Sequence, residues 1–254
     1  MSNPKSLEKG FVNLAFLDVQ VSPVTLKECV DIISRKIKNG ENYLILGQNL
    51  HSSYLNQWQS DFRECYSKAD LILADGFPIM AQANIQGLWK SKNQTERIGS
   101  TDWLPIVIKQ VSIPKVAVVG GSILTSEAFW SWILSLQPSC EILAIPAPKY
   151  DRIQGKSIAT DLRNFEPNLT IVGLGMPLQE EFIYEFKTEI LGVIAAVGGA
   201  LDQMTGQQIN APRWLGRIGL EWLWRLVSQP RRLAKRYLVE PWLLLVRIFV
   251  KRMG

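Results

Sequence analysis

The sequence predicts an α/β fold, a doubly wound and mostly parallel sheet with a C-terminal helical appendage. Two patterns carry this expectation. Short aliphatic or β-branched runs recur between longer helical stretches, and the runs are continuously apolar, as strands covered on both faces are. A composition of 47% hydrophobic and 20% charged residues over 254 positions suits one large domain plus an appendage.

The expected strands are residues 43–47 (YLILG), 71–74 (LILA), 115–120 (KVAVVG), 141–145 (EILAI), 169–173 (LTIVG) and 192–197 (GVIAAV). Helical patterns fall near residues 25–38, 77–86, 102–110, 122–136, 155–164 and 178–188. Strand–helix alternation of this kind builds doubly wound sheets, whose ligands sit beyond the carboxyl ends of the strands. The segments that follow strands are therefore the ones to inspect: 47–52, 75–78, 120–122, 173–179 and 198–203.

The C-terminal stretch differs in character. Residues 213–254 hold ten Lys/Arg against Glu221 and Glu240, with Trp214, Trp222, Trp224 and Trp242 among them. That stretch carries +8 of charge where the whole chain carries +5, so the body before it is mildly acidic. Helices are expected at 216–227, 231–239 and 242–251, the last amphipathic. A basic, Trp-rich segment suits phosphates or an anionic membrane surface. The expected division is a core over 1–210 and a membrane-associating appendage over 211–254. No stretch reaches the roughly twenty apolar residues of a helical span. The polar start of the chain lacks a signal-peptide core. Cys29, Cys65 and Cys140 are too widely spaced for a metal cluster or disulfide framework, which fits a reducing compartment.

Four constellations offer chemistry. Asp75, in Ala74-Asp75-Gly76-Phe77-Pro78, stands at a strand end, where a carboxylate can act as a general base; the plainer alternative is a helix cap. In Gly47-Gln48-Asn49-Leu50-His51-Ser52, amide and hydroxyl groups can bind a polyhydroxylated ligand. His51 is the chain's single histidine and reads first as a structural residue. Gly173 and Gly175, in a loop running to Gln179, let a backbone approach a ligand at a helix N-terminus; a tight turn with Gln179 solvated is the alternative. Gly120-Gly121-Ser122 is a weaker phosphate cradle. Arg97, in Arg97-Ile98-Gly99-Ser100-Thr101-Asp102, can clamp a diphosphate, with Ser100 or Thr101 capping the next helix. The chain has no Asp-x-Asp pair, no Walker loop and no clustered metal ligands. A developing negative charge is then left to Arg and helix N-termini.

Together these segments resemble the WecG/TagA/CpsF family of glycosyltransferases. The run comprises Asn49, Ala74-Asp75-Gly76, Arg97 through Asp102, Gly173-x-Gly-x-Pro-x-Gln-Glu180, Gly198-Gly-Ala-Leu-Asp202, Ala211-Pro212, Gly219-Leu-Glu-Trp222-Leu-Trp-Arg225, Pro230-Arg-Arg232 and Arg236-Tyr237. It covers roughly residues 12–240, and its order and spacing are the specific part. The resemblance implies an inverting, metal-independent transferase without cofactor. It implies that an N-acetylmannosamine-type sugar moves from a UDP donor to a polyprenyl-diphosphate-linked acceptor, in cell-surface polysaccharide synthesis. Asp75 then matches the general base. Asn49, Arg97, Gln179, Gly120, Gly173, Gly175 and Asp202 match substrate-binding positions. Arg213, Arg217, Arg225, Arg231, Arg232 and Arg236 match residues that meet the lipid diphosphate and the membrane. The implied location is cytoplasmic, peripheral on the inner face of the cell membrane. Nucleic acid is not an expected partner, and homo-oligomer formation is left open. The chain departs from the family where a Thr is expected two residues before Asn49. Gly47 stands there instead, so a hydroxyl contact to donor or acceptor is either missing or supplied by Ser52 or Gln48.

Two rival readings fit parts of the pattern. A Rossmann-like oxidoreductase or methyltransferase shares the alternation but needs a glycine fingerprint and acidic ribose partner that the chain lacks. A non-enzymatic binder of anionic surfaces explains the tail but not the polar strand ends.

Overall fold

A computed structural model describes residues 10–87, 97–208, 215 and 220–253. Two short strands, β1 (Val12–Leu14) and β2 (Val19–Val21), pair antiparallel at the start. Among the described residues, six further strands form one sheet: β3 (Tyr43–Gln48), β4 (Leu71–Ala74), β5 (Lys115–Gly120), β6 (Glu141–Ile145), β7 (Leu169–Gly173) and β8 (Val193–Ala196). Their order is β4-β3-β8-β7-β5-β6 and every pairing is parallel. The six expected runs are these six strands.

The sheet separates two cores because successive side chains leave a strand on opposite faces. Leu44 and Leu46 of β3 enter one core, and Ile45 enters the other. The first core is covered by α2 (Leu50–Trp58), α3 (Ser60–Ser67), α4 (Phe77–Ile85), α7 (Arg152–Phe165) and α8 (Leu178–Phe186). The second is covered by α1 (Leu26–Asn39), α5 (Ser100–Gln110), α6 (Ile123–Leu136) and α9 (Ala200–Met204). This is a three-layer doubly wound sandwich, as the apolar runs predict.

Local chemistry sets the helix starts. Thr25 and Glu28 form a reciprocal capping box on α1, and Gly40 closes it in the left-handed region at φ 65°. Asp151 accepts from the Gln154 amide at 2.8 Å, so α7 starts three residues before the expected 155. Neither Ser100 nor Thr101 caps α5. Gly99 is its N-cap, and the Asp102 carboxylate accepts from the Gly99 amide at 2.8 Å.

The C-terminal segment forms α10 (Glu221–Ser228), α11 (Pro230–Ala234), a π-helical turn at Lys235–Val239, and α12 (Glu240–Met253). The expected helix over 231–239 is thus an α-turn followed by a wider π-turn that runs directly into the last helix. Residues 216–219 of the expected 216–227 helix lie outside the described residues. Helix α12 packs on α2 and sinks Leu244 and Ile248 into the first core. Lys251 Nζ meets Asp18 Oδ2 at 2.6 Å, and Arg252 donates to the Ala15 carbonyl at 3.0 Å.

Candidate active site

Because every strand of the main sheet runs the same way, the loops that follow β3, β4, β5, β7 and β8 line one edge. Their order across that edge is Asp75, Asn49, Gly198, Gly173, Gly120. Asp75 and Gly120 are four strand spacings apart, roughly 19 Å at about 4.8 Å per spacing.

At one end of the row, Asp75 follows β4, and its amide donates to the Gln48 carbonyl at 2.8 Å. Gly76, at φ 101°, turns the chain and is itself the N-cap of α4, so Asp75 is not the capping residue. The Ile98 amide donates to the Ala74 carbonyl at 3.0 Å and lays residues 97–99 along the end of β4. That contact brings Arg97 Nε to 3.7 Å from Asp75 Oδ1, with both side chains 37% exposed. An ideal Cβ on Gly99 would lie 3.4 Å from the same carboxylate oxygen, which places Asp75 beside the N-terminus of α5. The carboxylate is held between an arginine and a helix N-terminus, yet it stays open to the crevice.

Asn49 caps α2. Its Oδ1 accepts from the Ser52 amide at 3.0 Å, and Ser52 Oγ accepts from the Asn49 amide at 2.7 Å. Its Cβ is 3.9 Å from where a Gly76 Cβ would be, so Asn49 neighbours the Asp75 loop. The substitutes expected for a hydroxyl at position 47 are both buried. Gln48 is 1% exposed and donates to Ser52 and Ser53, while Ser52 is spent on the cap. Nothing lies within 4 Å of an ideal Cβ on Gly47, so the space a side chain would fill there stays open.

In the middle of the row, Gln179 is buried rather than solvated. Its Oε1 accepts from the Gly198 amide at 2.9 Å, and its Nε2 donates to Glu180 Oε1 at 2.8 Å. It orders the β8–α9 loop. Glu180 is fully buried, and burial pushes its pKa up to about 8, against the opposing pull of its Gln179 bond and the Arg236 charge. Glu180 belongs to the Gly173–Glu180 motif, where its residue type alone assigns it no role. Its position beside Gln179 in the first turn of a helix that follows a glycine loop was the available signal.

At the far end, Gly120 and Gly173 are paired across β5 and β7. A Cβ on Gly120 would stand 2.5 Å from the Gly173 carbonyl oxygen, and one on Gly173 would stand 2.4 Å from Leu201 Cδ1. Gly175, at φ 78°, has nothing within 4 Å. Asp202 accepts from Thr125 Oγ1 at 2.8 Å, tying α9 to α6.

The C-terminal segment reaches this edge. His51 bonds Glu240, the first residue of α12. Arg236 is half-buried with its Nε shielded from solvent, and burial lowers its pKa while the charges of Glu240 and Asp75 act the other way. Arg236 is thus partly withdrawn from solvent. Arg225 is partly buried on α10, whereas Arg231 and Arg232 are exposed. Arg213 and Arg217 lie outside the described residues.

Comparison with known proteins bears on this arrangement. Residues 14–254 match the family described as Glycosyl transferase WecG/TagA/CpsF. A Bacillus subtilis (strain 168) protein named N-acetylglucosaminyldiphosphoundecaprenol N-acetyl-beta-D-mannosaminyltransferase is 34% identical over 85 residues, 33% of either chain. A Staphylococcus aureus (strain MW2) protein of the same name is 26% identical over 87 residues, 34% of either chain. The matched part thus spans about a third of the length of these relatives. With the family match running from β1 to the C-terminus, the chain belongs to the WecG/TagA/CpsF family of glycosyl transferases.

Proposed function

We propose that the protein transfers an N-acetylmannosamine-type sugar from a UDP donor to a hydroxyl of a polyprenyl-diphosphate-linked N-acetylglucosamine. The names of the relatives motivate the sugar and the acceptor. The observation that carries the chemistry is the Asp75 carboxylate, open to the crevice at a strand end beside Arg97 and the N-terminus of α5.

In this reading Asp75 takes the proton of the acceptor hydroxyl. The hydroxyl oxygen bonds the anomeric carbon from the face opposite the diphosphate. The anomeric C–O bond breaks, and its electron pair leaves with UDP, so configuration inverts. One carboxylate suffices for a single displacement, and positioned general-base help contributes about 10²–10⁴ in rate. Asn49 sits next to the base and can orient the sugar. The charge developing on the diphosphate falls to arginines and helix N-termini, which act without a metal. Gly120, Gly173 and Gly175 let the backbone approach the nucleotide, and Asp202 braces that end through Thr125.

The lipid-linked acceptor calls for a membrane-facing surface. We assign this to residues 211–254, an appendage to the 1–210 core, acting peripherally at the inner face of the cell membrane. Trp242, Leu243, Val246, Phe249, Val250 and Met253 are exposed on α12, interspersed with exposed Arg247, Lys251 and Arg252. Among the described residues no helix is long and apolar enough to cross a membrane. An apolar face edged by cations suits lying in the interface plane. A screen of UDP-sugars against a polyprenyl-diphosphate–N-acetylglucosamine acceptor tests the reading. UDP release and disaccharide formation with a UDP-N-acetylmannosamine donor are expected, and turnover with no donor would overturn it.

A further inference from the structure

The main sheet ends in β4 on one side and β6 on the other, and the two edges are finished differently. At the β4 edge the Ser22 amide donates to the Ile72 carbonyl at 2.8 Å, and the Ile72 amide donates to Ser22 Oγ at 3.0 Å. Both outward backbone groups of Ile72 are thus taken, and all four residues of β4 are buried. The β6 edge has no such cover. Among the described residues β6 pairs with β5 alone, and none of its five residues is buried.

The pairing of β6 with β5 fixes which groups are left over. The Glu141 amide donates to the Pro114 carbonyl at 2.8 Å, on the β5 side. Backbone groups alternate in direction along a strand, so Leu143 and Ile145 also turn theirs to β5, and Ile142 and Ala144 turn theirs outward. An open apolar edge of this kind is a template for another strand.

The surroundings are apolar too. Helix α6 leads into β6 and leaves Ile123, Leu124 and Trp130 exposed at 59%, 64% and 45%. Ile123, Trp130 and the half-buried Leu134 share one stripe at i, i+7 and i+11. Residues 121–148 carry two charges, Glu127 and Glu141, in a chain that is 20% charged. With acids and no Lys or Arg, this face is not attracted to an anionic membrane. Lipid also brings no backbone to an open strand edge, whereas a second copy of the chain brings its own β6.

Self-pairing satisfies the geometry. Two β6 strands related by a two-fold axis at Leu143 run antiparallel. Ile142 of each copy then faces Ala144 of the other, which uses all the outward groups. Each Glu141 falls opposite Ile145 of the other copy, so like charges do not meet. With the β4 edge closed by Ser22, the association stops at two. Such an axis stands perpendicular to the sheet and keeps like faces together. Both copies of α12 therefore lie on the same side of the joined sheet, which suits the membrane role assigned to α12 without depending on it.

We propose that the β6 edge, with α6 beside it, is a dimerisation surface whose partner is a second copy of this chain, paired β6 to β6 about Leu143.

Sedimentation equilibrium of the full chain tests this, with Ala144→Pro and Trp130→Glu variants. Proline removes an N–H that a single copy does not use, and edge strands tolerate it at such a position. Trp130→Glu leaves the strand untouched and serves if the proline variant does not fold. The wild type is expected to sediment as a dimer. Each variant is expected to raise the dimer Kd about tenfold or more, with its circular dichroism unchanged. Leu143→Cys puts two sulfurs beside the axis, so mild oxidation is expected to cross-link this variant into dimers. The wild type, whose Cys29, Cys65 and Cys140 are buried, is expected to stay uncross-linked. A monomeric wild type would overturn the proposal, whatever else this face binds. So would a dimer that neither substitution weakens, or one that Leu143→Cys does not cross-link.

Discussion

His51 Nδ1 stands 2.5 Å from Glu240 Oε2, joining the start of α2, two residues beyond Asn49, to the first residue of α12. The two side chains are 13% and 9% exposed, so little water competes for either. Removing one partner of a buried hydrogen bond leaves the other unsatisfied, at a cost of about 1–3 kcal/mol. Glu240→Ala is therefore expected to lower stability by about 1–3 kcal/mol and to loosen α12 from α2. Thermal melting and protease cleavage near residues 229–240 measure the two effects. An unchanged melting temperature with unchanged cleavage would remove the pair from any docking role.

Asp75→Asn tests the base directly. The variant keeps size and hydrogen bonding but cannot accept the acceptor proton. Its kcat is expected to fall by about 10²–10⁴, with UDP affinity and melting temperature close to wild type, since Asp75 is not a helix cap and its side chain is partly exposed. Near-wild-type turnover would move the base elsewhere.

Glu180 gives the protein a pH signature with a definite sign. Its pKa is raised from the ordinary 4.5 to about 8, chiefly by burial. Between those values the folded protein keeps a proton that the unfolded chain releases. This group's contribution is therefore fully present below 4.5 and is lost as pH rises toward 8. The slope is at most about 1.4 kcal/mol per pH unit. Glu180→Gln removes the titration, so its melting temperature is expected to fall less than wild type between pH 6 and pH 8. Parallel melting curves for the two proteins over that range would show that Glu180 does not carry a shifted proton.

Much of this was legible in the sequence. The six strands of the main sheet announce themselves because burial on both faces demands unbroken apolar runs, as in residues 115–120 and 169–173. Strands β1 and β2 do not, since three residues each carry too little pattern. Helices α2 and α3 were also missed: polar Asn49, Ser52 and Ser53 look like a loop, although Asn49 and Ser52 are a reciprocal capping box. Asp75 and Arg97 were both named, but their approach depends on the Ile98–Ala74 contact between segments some twenty residues apart. Arg236 read as one of a row of tail cations. Its partial burial goes with a π-turn, which has no local sequence pattern.

The glycines of the site divide sharply by what a Cβ would meet. Gly120→Ala would place a carbon 2.5 Å from the Gly173 carbonyl oxygen, at φ 116°, where both the clash and the backbone oppose it. Backbone cannot yield as a flexible side chain can, so a loss of at least about 2 kcal/mol, or failure to fold, is expected. Gly47→Ala meets nothing within 4 Å, at a φ open to any residue, and is expected to change stability by less than about 0.5 kcal/mol. Denaturant midpoints of the two variants, side by side, test the geometry of the strand ends. Equal losses would show that the β5–β7 approach is looser than described.

The outward face of α12 yields the last prediction. Leu244 and Ile248 hold the helix to the core, leaving Trp242 and Phe249 exposed at 69% and 57%. Replacing these two by Ser should leave the fold intact, because neither is buried, while weakening attachment to anionic vesicles. Arg231 and Arg232 are exposed on the preceding turn, and each is worth about 1 kcal/mol, or about fivefold in partitioning, near an anionic surface. Their Gln variants should lose that attachment in low salt and converge with wild type in high salt, where screening removes the difference. The Ser variants should stay weak at both salt concentrations, since apolar insertion is not screened. Sedimentation with anionic and zwitterionic vesicles separates the two contributions. Wild-type binding by the Ser variants would show that this face of α12 meets something other than lipid.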